Sequence, residues 1–177
     1  IAENPEKILA MGQERQNALK NALPFLRAMY NVEKGKPQVR VYEGIEGMKQ
    51  VYKETIWKSK TEILLFSSIK KINQAMPDLL NMWIQDQKDK KIRELINPDP
   101  DDIAYGLKAI EVNENHQIRV IPPDSPYRFV GTANAIFEDK IMMVSFEGKL
   151  FTTIIQSEVI ANTMRALFEM AWKNAAP

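Results

Sequence analysis

The spacing of the apolar residues changes at Pro37 and divides the chain into two segments. Before it, four apolar residues recur at intervals that place them on one face of a helix: Leu19, Leu23, Leu26 and Tyr30. After it, short apolar runs alternate with helical spacings, which is typical of an α/β domain. We therefore predict a helical segment over residues 1–35 and an α/β domain over residues 36–177. The helical segment either docks on its own domain or acts as a connector that pairs with a second subunit.

The α/β domain is predicted to hold seven strands, at residues 39–42, 62–67, 92–96, 118–121, 133–137, 140–146 and 149–156. Helical spacings fill the intervals between the first four strands, including a long helix over residues 72–91 with Pro77 in the first turn of its main segment. The continuous apolar run at 62–67 indicates a strand covered on both faces, as in a parallel sheet. The short turns between the last three strands predict antiparallel hairpins. The fold class is therefore α/β, with a mixed sheet flanked by helices.

A last helix is predicted to begin after Ser157, whose hydroxyl suits an N-cap. Its inner face is predicted from the apolar spacing to consist of Val159, Ile160, Thr163, Leu167, Met170 and Ala171.

Composition narrows the functions that this chain can have. Lys and Arg number 24 against 23 Asp and Glu, so the net charge of +1 argues against a strongly basic nucleic-acid module. The absence of cysteine excludes disulfides and a thiol nucleophile. One histidine, His116, excludes a metal site with several histidines, and its polar neighbours predict a solvated loop residue. No apolar run approaches the roughly 20 residues of a membrane span. A cytoplasmic protein is the expectation.

Candidate ligand contacts lie where predicted strands end. Ser67 and Ser68 close a buried strand, where α/β sheets often bind ligands, although they also suit a helix cap. Asp99 stands with Asp101 and Asp102 in a cluster that suits either a hard cation or the capping of the next helix.

Arg128 lies in a proline-flanked loop beside two aromatic residues, so its guanidinium suits an anion or a sugar, or else simply faces solvent. No glycine-rich phosphate loop is present, and no cofactor or metal is predicted.

Several segments together resemble the effector domain of TrmB-like transcriptional regulators. They are residues 39–47 (VRVYEGIEG), 62–68 (EILLFSS), 118–123 (IRVIPP), 137–141 (FEDKI) and 166–172 (ALFEMAW). The resemblance implies a phospholipase-D-like fold used for sensing, and a homodimer paired through the connector at 1–35. It also implies a winged helix ahead of the connector that would make any DNA contact. The chain begins with Ile1 and lacks that segment, so we expect a fragment or a processed chain.

The phospholipase D signature, H-x-K-x-x-x-x-D before a hairpin, aligns with residues 131–138. Gly131 and Ala133 then replace the nucleophilic histidine and the phosphate-binding lysine, and Glu138 replaces the aspartate. On this basis the chain is not expected to be an enzyme.

The leading hypothesis is a non-catalytic domain that senses a small molecule, such as a sugar or an anion, and forms dimers. The effector site is predicted near the carboxyl ends of the strands, with Ser67, Ser68, Asn97, Asp99 and Arg128 as its lining. The alternatives are a divergent phosphodiesterase or nuclease of the same fold, and a purely structural dimerisation module.

Overall fold

A computed structural model describes residues 6–7, 9, 11–17, 19–20 and 37–176. The chain divides into two compact units, residues 1–36 and 37–177. Those of the first 36 residues that are described are all helical. The remainder of the predicted connector, with Leu23, Leu26 and Tyr30, lies outside the described residues. Its role in pairing subunits stays a prediction.

Seven strands and five α-helices make up the second unit. The strands are Gln38–Glu43 (β1), Ile63–Ser67 (β2), Ile92–Ile96 (β3), His116–Val120 (β4), Thr132–Phe137 (β5), Lys140–Ser145 (β6) and Phe151–Gln156 (β7). The helices are Gly44–Val51 (α1), Ile69–Ala75 (α2), Pro77–Asp86 (α3), Pro100–Val112 (α4) and Glu158–Asn174 (α5), and a π-helical turn, Tyr52–Ile56, continues α1. None of the helices in the described ranges has the length and apolar character needed to cross a membrane.

All seven strands form one mixed sheet in the order β1-β7-β6-β5-β2-β3-β4. The pairs β2–β3 and β3–β4 are parallel. The other four pairs are antiparallel. This arrangement confirms the predicted α/β class, the mixed sheet and the three closing antiparallel strands.

Helices cover the two faces of the sheet unequally. The larger apolar core lies on the face that carries Leu65 and includes residues of α1 to α4. The smaller core lies on the face that carries Leu64 and is closed by α5. Because Leu64 and Leu65 are both buried, β2 is covered on both faces, as its apolar run predicted.

The long helix predicted over residues 72–91 is wrong, because the structure has two helices there. Met76 separates α2 from α3 with an extended φ of −151°. The ring of the following Pro77 disfavours helical geometry in the preceding residue. Pro77 opens α3, which confirms its predicted place in the first turn of the main segment, at a position where a missing N–H costs nothing.

The predicted inner face of α5 is also wrong, apart from Ile160, which packs against the smaller core. The helix buries Ala161, Phe168 and Trp172. Its predicted core residues Leu167 and Met170 are 50% and 64% exposed. The helix carries two apolar stripes, and the aromatic one packs inward because it buries more surface. The rings of Phe168 and Trp172 stack with centroids 5.5 Å apart.

Two adjacent residues of α5 test this assignment. Phe168→Ala removes a fully buried ring and should lower the free energy of unfolding by about 3–5 kcal/mol. Leu167→Ala, the matched control, should change it by less than about 1 kcal/mol, because half of its side chain already contacts water. Urea unfolding measures both values. A larger loss for Leu167→Ala than for Phe168→Ala would restore the sequence-predicted face.

Candidate functional site

The predicted site residues lie at the edge of the sheet where β2 and β3 end and β5 begins, here called the strand-end edge. Ser67 is the last residue of β2 and pairs with Ala133 of β5. Asn97 follows β3 directly. The parallel direction of β2 and β3 therefore brings these polar residues together, as is usual in α/β sheets.

Asp102 joins three segments at this edge. Its carboxylate accepts hydrogen bonds from the backbone N–H groups of Ile69 at 3.4 Å, Lys70 at 3.1 Å and Asn97 at 3.2 Å. Ile69 and Lys70 begin α2, so Asp102 caps a neighbouring helix. The sequence placed Asp102 at the start of its own helix, and the distant partner could not be predicted.

The environment of Asp102 changes its ionisation. Burial raises the pKa of its carboxyl to about 6, and the charge of Asp99 adds to that effect, whereas the three backbone donors lower it. Asp99 is the N-cap residue of α4, but its side chain makes no capping hydrogen bond. The predicted capping role therefore does not apply to Asp99.

Asn97 is engaged by the main chain of the loop before β5. Its Nδ2 donates to the Phe129 carbonyl at 2.9 Å, and its Oδ1 accepts from the Phe129 N–H at 3.0 Å. This paired contact fixes the loop against the end of β3. Asn97 is also buried, so little of its amide is open to a ligand.

Both Nη groups of Arg128 are engaged by its own loop. Its guanidinium donates to four backbone carbonyls, those of Pro122 at 3.3 Å, Pro123 at 2.5 Å, Ser125 at 2.8 Å and Tyr127 at 2.9 Å. These bonds hold the loop closed and use the two Nη groups, which would otherwise grip an anion side by side.

Both serines at the end of β2 are buried. Ser67 lines an internal cavity of about 20 Å³, which is about the room that one water molecule needs. Ser68 donates its backbone N–H to the Thr132 carbonyl at 3.1 Å. Ligand binding by Ser67, Ser68, Asn97, Asp99 and Arg128 stays a prediction.

The space beside Gly131, which aligns with the phospholipase D histidine, is filled by the side chain of Glu147. It has a φ of +60°, and a β-carbon there would lie 2.4 Å from Cγ of Glu147. A side chain at residue 131 would therefore displace the exposed Glu147. Ala133, aligned with the lysine, is buried and lines the internal cavity.

A buried polar network lies between α4 and the sheet, and the sequence did not predict it. Glu94 Oε2 accepts from the Tyr105 hydroxyl at 2.9 Å and lies 3.0 Å from His116 Nε2. Burial, and then the Glu94 charge, hold the pKa of Tyr105 well above its ordinary value.

The predicted solvated histidine is therefore wrong, because His116 is buried at the start of β4. It pairs with Ile92 at the amino end of β3, opposite to the strand-end edge. The signal in the sequence was Glu94, a carboxylate inside an apolar strand, which requires a buried partner.

Comparisons with known proteins support the fold. No family model matches the sequence, and no curated protein matches it. Among solved structures, the phospholipase D family member Nuc from Salmonella typhimurium matches with a TM-score of 0.59 and 14% identity, over 79% of this chain and 97% of Nuc. NucT from Helicobacter pylori matches with a TM-score of 0.51 and 8% identity, over 80% of this chain and 99% of NucT.

TrmBL2, an archaeal chromatin protein, matches with a TM-score of 0.51 and 14% identity. The match covers 97% of this chain and 64% of TrmBL2, so this chain spans less than two thirds of that protein. At these identities the likenesses establish a phospholipase-D-like fold.

The prediction that this chain is not an enzyme is contradicted by these matches. Nuc is a phospholipase D family member, and the matches cover Nuc and NucT almost completely, so this fold gives no ground for denying enzyme activity. The prediction was drawn from Gly131 and Ala133 alone. The two replacements exclude a mechanism that uses that histidine and that lysine. They do not exclude catalysis by other acid–base groups at the same edge.

The raised pKa of Asp102 predicts how stability depends on pH. Its folded value of about 6 exceeds the ordinary 3.8, so the folded state binds this proton more tightly than the unfolded state. The stabilising contribution is complete below the ordinary pKa and is lost as pH rises to about 6. Asp102→Asn removes this titration. The stability of the wild type relative to this variant should fall by on the order of 1 kcal/mol between about pH 4 and pH 7.

Urea unfolding across this pH range provides the measurement. Asp101→Asn, an exposed neighbour in the same helical turn, is the control and should keep the wild-type slope. If Asp102→Asn also kept that slope, the carboxyl would not titrate as described.

Proposed function

We propose that this chain is the ligand-sensing and pairing domain of a DNA-associated regulator of the TrmB-like kind. The observation that carries the proposal is the match to TrmBL2, which extends over 97% of this chain. TrmBL2 is a chromatin protein that binds DNA. The matches to Nuc and NucT cover 79% and 80%. The additional share of the chain that the TrmBL2 match covers is similar in length to the predicted connector at 1–35.

A small effector would act in such a domain by binding one subunit arrangement more tightly than another. Only this difference in affinity can shift the equilibrium between arrangements. The net charge of +1 supports a domain whose DNA contacts are made elsewhere in the regulator. The homodimer belongs to this proposal.

Thermal unfolding in the presence of sugars, nucleotides and inorganic phosphate tests the sensing role. A ligand at a hundredfold excess over its Kd stabilises the folded state by about 2.7 kcal/mol. For a chain of this length each kcal/mol raises Tm by about 2–4 °C. We expect at least one compound to raise Tm by several degrees in a dose-dependent way. If none did so with the fold intact, the sensing role would be contradicted.

A second candidate is a divergent phosphodiesterase, which is supported by the higher TM-score of 0.59 with Nuc. In this candidate the exposed Glu147 carboxylate, which lies against Gly131, would serve as the acid–base group at the strand-end edge. His116 is buried at the other end of the strands and would not contact a substrate there.

Hydrolysis of bis(p-nitrophenyl) phosphate and of single-stranded DNA tests this candidate. Glu147→Gln should lower turnover about a hundredfold, because it removes the acid–base group. Glu43→Gln, an exposed carboxylate on β1, is the control and should keep wild-type turnover. Activity equal to a protein-free blank would dismiss the phosphodiesterase.

A further inference from the structure

A second concave surface lies on the helical layer. It has a volume of about 370 Å³ and separates α1 and the π-helical turn from the junction of α2 and α3. We call it the α1–α3 cleft. Its volume falls within the range of about 300–1,000 Å³ that is usual for small-molecule sites.

The walls of the cleft combine an apolar lining with a few charged groups. Trp57, Met76 and Met82 are among its apolar residues. Methionine side chains adapt their shape to an apolar ligand more readily than branched ones do. Tyr52 and Leu79 line both this cleft and the internal cavity, so they form its floor.

The charged residues at the cleft favour an anion. Lys49 and Lys53 project from α1 and the π-helical turn. Lys49 forms an exposed pair with Glu46 at 3.0 Å, which is a weak contact that a ligand can replace. Lys53 has no charged partner within the described ranges. Asp78, on the opposite wall, lies in the first turn of α3, where the positive helix end offsets its charge.

The backbone and one orphaned donor also distinguish this surface. The π-helical turn closes with a bond from the Trp57 N–H to the Tyr52 carbonyl at 3.0 Å, and such turns recur at functional sites. The Trp57 indole N–H is buried without an acceptor among the described residues. A buried donor without a partner is unfavourable and uncommon in native structures.

We propose that the α1–α3 cleft binds a small organic anion with an aromatic or branched apolar body. The apolar body contacts Trp57, Met76 and Met82, and the acid group is held by Lys53 with Lys49. The role of the cleft as an effector site rests on the proposed sensing function, whereas the binding of an anion there does not.

Two fluorescent probes of similar shape test the site. 1-Anilinonaphthalene-8-sulfonate is an aromatic anion, and N-phenyl-1-naphthylamine is its neutral counterpart. We expect both probes to bind the folded wild-type protein. Lys53→Gln should weaken binding of the anion by about two- to five-fold, as expected for one exposed charge contact, and leave the neutral probe unchanged. Lys88→Gln, an exposed lysine outside the cleft, is the matched control.

A second pair of variants tests the location. Ala75 is exposed and lines the cleft, so Ala75→Trp should fill it and abolish binding of both probes. Ala166→Trp adds the same ring to an exposed position on α5 and should leave binding intact. Tm and near-ultraviolet circular dichroism confirm that each variant is folded.

Three outcomes would overturn the proposal. They are no binding of either probe, unchanged binding in Ala75→Trp, and an equal effect of Lys53→Gln on both probes. Each of them would leave the sensing role to be judged by the thermal screen, because that screen does not depend on where the ligand binds.

Discussion

The buried carboxylate of Asp102 is the interaction on which the strand-end edge depends. It accepts hydrogen bonds from two N–H groups at the start of α2 and from one after β3. The N-cap residue of α2, Ser68, makes no capping bond with its own side chain. A carboxylate without these donors would be too costly to bury, and a helix start without this acceptor would leave backbone groups unpaired. The two helices and the strand are therefore positioned by one side chain.

The bonds that organise this edge also occupy it. Asn97 is paired with the main chain of Phe129, and Arg128 is bound by four carbonyls of its loop. Glu147 covers Gly131, the residue that the sequence alignment sets against the histidine of the phospholipase D signature. The α1–α3 cleft, in contrast, keeps Lys53 without a charged partner among the described residues. Ligand binding on the helical layer agrees better with these contacts than binding at the edge.

The sequence predicted the fold well because apolar periodicity determines which segments form strands and helices. The mixed sheet, the doubly covered β2 and the closing hairpins all follow from it. It failed where a residue has a partner distant in sequence. Asp102 and His116 both contact groups at least 22 positions away, and local polarity assigned them to solvent or to a nearby cap. The inner face of α5 was wrong because spacing alone does not rank two apolar stripes.

Chemical-shift mapping on the ¹⁵N-labelled protein, titrated with 1-anilinonaphthalene-8-sulfonate, tests the central claim most directly. The cleft and the strand-end edge are represented by different reporter residues, so their amide signals report separately. We expect shifts at the Lys53 amide and the Trp57 indole, and none at Ser68, Asn97 or Phe129. Shifts at the last three, with Lys53 and Trp57 unchanged, would contradict the claim and return the ligand to the strand-end edge.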